Sequence, residues 1–198
     1  MNTPALTRHE RRRLRTRNLL IQTALQLVLE KGFEAISIQD ITDRADLGRG
    51  TFYIHFKDKE DVIWMAFKDL FQELEQQAHQ QLDRHTPQVE YYGLVNIFRH
   101  AENNRDLYRV MFGGQGSALL TTRAQDFLAN AFLRDIQTAP EPPEVNFNVP
   151  EEIEAQILTG LISRLLYWWL EIPNDYSAEQ IATMTYQVLY RKQPPGTA

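Results

Sequence analysis

Arg49, Thr51, Tyr53, His55 and Lys57 fall within one fourteen-residue stretch, LGRGTFYIHFKDKE, Leu47 to Glu60. Hydroxyls, an imidazole, a guanidinium fork and an ammonium are groups that contact an anion through charge and hydrogen bonds. The same stretch holds Phe52, Ile54 and Phe56, which a solvated loop would not want. On a helix starting near Arg49, Phe52 and Phe56 lie four apart on one face, while residues 49, 50, 53 and 57 turn toward another. A core is filled on one side and something is touched on the other.

The charge pattern says what kind of partner. The net charge of −5 divides into +4 over residues 1–57 and −9 over residues 58–198. A basic end on an acidic body points to a polyanion at that end; a solvated charged tail is the plainer alternative. The 198 residues, 43% of them hydrophobic, suffice for one or two domains with a sizeable core. The absence of cysteine excludes disulfides, a thiolate nucleophile and Cys-ligated zinc, and fits a cytoplasmic location. Ile153 to Ile172 is the most apolar segment, but Glu154, Gln156 and Arg164 suit a helix buried in protein better than one in lipid, so no membrane partner is expected.

Stepping outward to the elements, apolar residues recur at helical spacing and no hairpin signal bounds an alternating run, so the chain is expected to be all-α. A first helix is expected from about Arg11 to Lys31, with Gly32 as its stop. Ser37 and Asp40 open a second as N-cap and capping partner, and a short break at Asp46–Gly48 leads into a third that contains Gly50 to Phe56. So short a break makes those two helices cross steeply. Asp58 is expected to cap a long helix reaching about Leu82. Further helices are expected at about 89–103, 105–112, 117–138, 150–172 and 177–192, with Pro140, Pro142 and Pro143 forming a stiff linker.

The run ISIQDITDRADLGRGTFYIHFKDKEDV, Ile36 to Val62, resembles the N-terminal DNA-binding segment of the TetR family of bacterial transcriptional regulators. In that pattern a short helix ending in Ala precedes a turn, a Gly-Thr-Phe-Tyr-x-His-Phe recognition helix and a Lys-rich start to a long helix. The resemblance implies an all-α homodimer: an N-terminal three-helix helix-turn-helix head, residues 1–56, and a helical ligand-binding and dimerisation body, residues 57–198. The two heads would read successive major grooves of palindromic double-stranded DNA, and a small-molecule ligand in the body would release a repressor from its operator. Two positions depart from the pattern. Asp46 stands where Gly is frequent, and it tolerates left-handed backbone. Gly48 stands where a Ser or Thr cap is usual, which removes a hydroxyl able to meet a phosphate.

Read as such a head, the chain offers Arg49 for guanine edges and Gly50 for close backbone approach. Thr51 suits a thymine methyl or a phosphate, and Tyr53 a phosphate with some base stacking. His55, Lys57 and Ser37 are placed for phosphates, Gly48 lies at the helix start, and Arg15 and Arg17 extend along the backbone or into the minor groove with Arg11 to Arg13. For His55, a surface histidine packed on the long helix remains the alternative, and for Arg49 a plain helix-end cation.

In the body, Ile157, Leu161, Leu165 and Trp168 form one stripe, continuous with Ile153, and Ile162, Leu166 and Trp169 another, so that helix needs burial on two sides. With Ile181, Met184 and Val188 on the last helix, the first stripe suggests a two-fold four-helix dimer interface; the central helix of a monomeric bundle is the alternative. Phe98, Tyr108, Met111, Phe112, Phe127 and Trp168 are candidates for a ligand pocket or equally for core. No catalytic motif is present, and Gly113-Gly114-Gln115-Gly116 follows no strand. His79, Asp83 and His85 read as a solvated face, so no metal, cofactor or catalytic residue is assigned. A ligand-independent DNA-binding dimer and an all-α enzyme are the competing functions.

Overall fold

The computed structural model describes residues 7–81, 89–114, 116–138, 149–191 and 193, with only the backbone at 77–81 and 89. Among these residues there are nine α-helices, one 3-10 turn at Phe33–Ala35 and no strand. The helices are α1 Arg8–Lys31, α2 Ile38–Arg44, α3 Arg49–His55, α4 Lys59–Gln81, α5 Val89–Asn103, α6 Arg105–Phe112, α7 Ala118–Thr138, α8 Glu151–Glu171 and α9 Ala178–Tyr190. The proline linker and the side chains of His79, Asp83 and His85 lie outside the described residues.

Local chemistry sets most of the helix ends. Thr7 accepts from the Glu10 amide while the Glu10 carboxylate accepts from the Thr7 amide, so α1 begins three residues earlier than its apolar stripe indicates. Gly32 ends it at φ 84° and ψ 152°, a backbone region in which glycine alone is comfortable. Ser37 and Asp40 form the same reciprocal cap on α2, as do Ser177 and Gln180 on α9. Asp58 accepts from the Asp61 amide at 2.7 Å and opens α4. Asp46 takes the left-handed conformation at φ 52°, which lets the turn survive without glycine. The glycine-rich loop after α6 folds back tightly: a Cβ on Gly113 would come 2.2 Å from the Arg109 carbonyl, and one on Gly116 1.8 Å from that of Val110.

One continuous core runs from the head into the body. In the head, Leu20, Ala24, Leu27 and Val28 of α1, Ile41 of α2 and Phe52 and Phe56 of the α3 segment are buried, each large side chain contributing about 1.5–3 kcal/mol by leaving water. α4 packs on α1 and leads into the body, where α7 lies along α8, α5 along α9 and α6 against α8. The C-terminal end of α8 is tied to α6 by Arg105, which donates to the Leu170 carbonyl at 2.7 Å, and by Arg109, which pairs with Glu171 at 2.9 Å.

Burial of α8 corrects part of the interface expectation. Ile162, Leu166 and Trp169 point inward with Ala155, Thr159 and Ser163, while Ile153 and Ile157 stand 50% and 53% exposed. Leu161, Leu165 and Trp168 are half-buried. On α9, Met184 and Val188 face outward, but Ile181 is 3% exposed and packs in its own core. Ile181 shares the side of α9 that carries Met184 and Val188, one and two turns on, but it sits at the edge of the buried Ala178–Thr185 face and its side chain is used up in its own core, so it leaves the set of interface candidates.

Candidate nucleic-acid interface

α3 is short, and its two faces are chemically distinct. Phe52 is wholly buried and meets Phe56 at 5.7 Å and Tyr53 edge-on at 5.7 Å. Outward stand Arg49, Gly50, Tyr53 and Ile54, with Ile54 68% exposed; Thr51 and His55 are half-buried at the flanks. Arg49 and Tyr53 sit one turn apart with guanidinium and phenol oxygen 3.5 Å from one another. A Cβ added at Gly48 or Gly50 would meet nothing within 4 Å, so the chain itself does not require glycine at either place. Gly48 caps α3 without any side-chain hydrogen bond, which leaves the first amides of that helix pointing outward. Lys57 and Arg15 are exposed.

His55 at the end of α3 faces the first helix. Burial, reinforced by Arg13 and Arg17, holds its pKa below the ordinary histidine value. Near neutral pH it is therefore a neutral hydrogen-bonding group and not a standing cation.

Two expected phosphate contacts have other partners. Arg17 pairs with Asp69 of α4 at 2.6 Å and lies 5.6 Å over the Phe56 ring, so it fastens α1 to α4 instead of reaching outward. The Ser37 hydroxyl donates its one proton to the Asp40 carboxylate and accepts from the Asp40 amide, which leaves no hydroxyl proton for a phosphate and holds the Asp40 pKa down. Both are corrected to internal roles.

Lys59 is a structural cation as well. Its ammonium donates to the Phe33 carbonyl at 2.9 Å and the Ile36 carbonyl at 3.2 Å, and stands 4.4 Å above the Phe33 ring. It closes the head onto the first turn of α4.

Among the described residues the six pocket candidates divide between several packing groups. Phe127 joins Trp64, Phe67 and Phe71 in an aromatic cluster, and Phe98 packs edge-on against Trp169 at 5.7 Å. Met111 is wholly buried, whereas Trp168 stacks obliquely on the exposed Tyr176. Tyr108 is buried with its hydroxyl 2.8 Å from His100 Nδ1. Only Phe112 of the six borders the cavity of about 230 Å³ lined by Thr121, Gln125, Gly160, Ser163, Arg164 and Tyr167. Among the described residues no group of three or more His, Asp or Glu could hold a metal ion, and no helix is long and apolar enough to cross a membrane.

A family profile described as "Bacterial regulatory proteins, tetR family" matches residues 20–63. A second, described as "Transcriptional regulator C-terminal region", matches residues 91–191, slightly over half of the chain. The chain belongs to the TetR family. The HTH-type transcriptional repressor DhaR of Mycobacterium sp. (strain GP1) is 34% identical over 59 residues, 30% of each chain. The HTH-type transcriptional regulator AcrR of Shigella flexneri is 26% identical over 181 residues, 84% of each chain. The first three curated relatives are matched over only 16%, 30% and 25% of their own lengths. A TetR-family transcriptional regulator from Syntrophomonas wolfei str. Goettingen shares the fold, with a TM-score of 0.72 at 22% identity over 90% of this chain and 96% of that one.

In this TetR-family chain, the residues around the head whose roles sequence reasoning does not assign are Ile54 of α3 and Lys59 and Asp69 of α4. Ile54 was detectable, since it lies on neither the Phe52 nor the Phe56 side of the α3 turn. Lys59 and Asp69 were not, because their partners Phe33, Ile36 and Arg17 lie 26, 23 and 52 positions away along the chain.

Proposed function

We propose that this TetR-family chain is a sequence-specific DNA-binding transcriptional repressor. It acts as a homodimer on palindromic double-stranded DNA and leaves its operator when a small-molecule ligand enters the body. Residues 1–56 form the reading head and residues 57–198 the dimerisation and sensing body, in a cytoplasmic protein without catalytic activity. The observation that carries this reading is the outward face of α3, where Arg49, Tyr53 and Ile54 stand free above a buried Phe52, flanked by glycines with open space around them. An arginine fork reads guanine edges, and an exposed aliphatic side chain suits a thymine methyl.

The dimer rests on Ile153, Ile157, Met184 and Val188, four exposed apolar side chains on the last two helices of the chain, with Leu161, Leu165 and Trp168 of α8 half-buried. A soluble chain covers such a patch, and a two-fold axis covers it with the same patch. The two heads must then stand about 34–36 Å apart to meet successive major grooves, so a modest pivot of α4 is enough to end binding. The likeness of the head to that of the transcriptional repressor DhaR supports repression as the outcome.

Selection of bound fragments from a random DNA pool, followed by fluorescence anisotropy across a salt series, tests the head. A palindromic consensus is expected, with affinity falling steeply as salt rises, and Arg49→Ala relaxes the preference at one base pair of it. Binding with neither palindrome preference nor salt dependence overturns the assignment.

A further inference from the structure

His100 Nε2 is the one buried side-chain nitrogen or oxygen without a hydrogen-bond partner among the described residues. The residue is 7% exposed and sits in α5, facing α6 and α4. Its other nitrogen, Nδ1, lies 2.8 Å from the Tyr108 hydroxyl. Counting unmet groups fixes the tautomer. Tyr108 is buried, which holds its pKa well above the usual phenol value, so its hydroxyl keeps a proton that needs an acceptor. If that proton goes to Nδ1, only Nε2–H is left unpaired. In the reverse arrangement, Nδ1–H donating to the phenol oxygen, both the phenol hydrogen and the Nε2 lone pair are stranded. The first leaves fewer buried groups unsatisfied and is the state of this pair.

The unpaired group is thus a donor, and its surroundings are specific. The Leu70 carbonyl of α4 is near enough to favour a protonated ring, but Nε2 makes no full hydrogen bond to it. Beyond Tyr108 the walls are aromatic: Phe112 lies 6.0 Å from it, and Phe67 of α4 lies 6.1 Å from Phe112. Residues 68–71 of α4 are only half-buried, so this part of α4 has less to lose by moving than the wholly buried Val62, Ile63 and Phe67. A buried donor left unpaired costs free energy, so one retained in a fold calls for a partner, a bound molecule or an ordered water.

On the reading that the body senses a ligand, we propose that His100 Nε2–H is the polar anchor of the effector site. The effector is a mainly apolar molecule with one accepting oxygen, a carbonyl or a carboxylate, that inserts between α4 and the α5–α6 pair. Its oxygen takes the hydrogen bond that the Leu70 carbonyl fails to take, and its apolar part lies against Tyr108, Phe112 and Phe67. Insertion there displaces α4 at Leu70. The preceding residue, Asp69, holds Arg17 of α1, so displacement is passed to the head through that ion pair.

The test uses the full chain labelled with nitrogen-15 and three probes on one aromatic frame: acetophenone, benzoate and propylbenzene. Long-range proton–nitrogen spectra report the His100 tautomer, assigned through His100→Gln. The free protein is expected to carry its proton on Nε2. Acetophenone and benzoate should shift that signal and propylbenzene should not; a doubly protonated ring with benzoate alone marks a carboxylate effector, and a shift with acetophenone a neutral one. His100→Gln retains an N–H donor and should keep the preference for acetophenone over propylbenzene. His100→Phe, which fills the site but has no donor, should abolish that preference, a change of about tenfold or more in relative affinity. A proton on Nδ1 in the free protein, an equal response to propylbenzene, or no response to any probe overturns the proposal. None of these readouts involves DNA, so the anchor can fail while the regulator reading stands.

Discussion

Lys57 and Lys59 are two residues apart and carry the same group, yet the fold gives them opposite work, and replacing each by methionine separates the two. In Lys59→Met the stem is kept and only the ammonium is lost. That ammonium makes two hydrogen bonds, at 2.9 and 3.2 Å, to the carbonyls of Phe33 and Ile36, residues that are 2% and 4% exposed. Charged hydrogen bonds are worth about 1.5–3 kcal/mol each, and the ring contact at 4.4 Å adds about 0.5–1 kcal/mol. Lys59 is only half-buried, so water recovers part of this, and a net loss of about 2–3 kcal/mol is expected. For a chain of this length that lowers Tm by about 4–12 °C. Lys57→Met removes an exposed ammonium and leaves in place the hydrogen bond that the Lys57 backbone amide donates to Asp61. Its Tm should move by no more than about 1–2 °C, while the slope of log affinity against log salt falls by about 0.9. Calorimetry and anisotropy titrations measure both quantities. A Lys59→Met protein with unchanged Tm, or one that loses salt slope as Lys57→Met does, refutes the division.

Arg49→Ala should weaken binding to the selected operator by about 1–3 kcal/mol and relax preference at one base pair, with little change on random DNA, as competition titrations would show. Val188→Glu places a charge at a position 66% exposed in the single chain, so the subunit should stay folded while sedimentation shows monomers in place of dimers. His55 has a depressed pKa in the free protein, and a neighbouring phosphate raises it; binding then takes up a proton, so affinity should rise as pH falls below about 6.5, a trend that His55→Gln flattens. The same depression has the opposite consequence for folding: the unfolded chain protonates more readily at His55 and His100, so stability is expected to fall as pH drops through about 6.5 toward their lowered values, and thermal melts across that window check it. Gly32→Ala must hold φ at 84° with a side chain and should cost about 1–3 kcal/mol in denaturant melts.

Much of the helical framework is legible in the sequence because it is local. Ser37 with Asp40, Asp58 before α4 and Gly32 after α1 each act within a few residues, and the spacing of Phe52 and Phe56 gives the buried side of α3 without reference to anything distant. What stays hidden is which of two chemically equivalent uses a side chain is put to. Ser-x-x-Asp at 37–40 serves a phosphate or a cap equally well on paper, and the cap prevails because both partners are already in place when the helix forms. Periodicity groups Ile181 with Val188, seven residues on along one side of α9, but does not say where along that side the body's own core ends, and the core covers Ile181 and leaves Val188 bare. Aromatic composition marks the body as well packed, but whether a polar atom among the rings is satisfied depends on angles that no spacing rule contains, as at His100.

The same limitation applies to charge. The excess of +4 over residues 1–57 suggests ten cations available to a polyanion. Folding withdraws some of them: Arg17 is held by Asp69 and Arg44 by Glu30, each at 2.6 Å, and Lys31 stands 4.0 Å from Asp40. Asp69 lies outside the first 57 residues, so no count over the head alone could anticipate its effect. Among the described residues, the cations without an acidic partner are Arg49, Lys57, Arg15 and those at the start of α1, and they divide between α3 and the N-terminal part of α1. Since each phosphate neutralised adds about 0.9 to the salt slope, that slope counts the contacting cations directly. Neutralising Arg17 should therefore leave the slope unchanged while loosening α1 from α4, whereas neutralising Arg15 should lower it. Two arginines two positions apart, indistinguishable by type, then separate by whether an acidic side chain reaches them first.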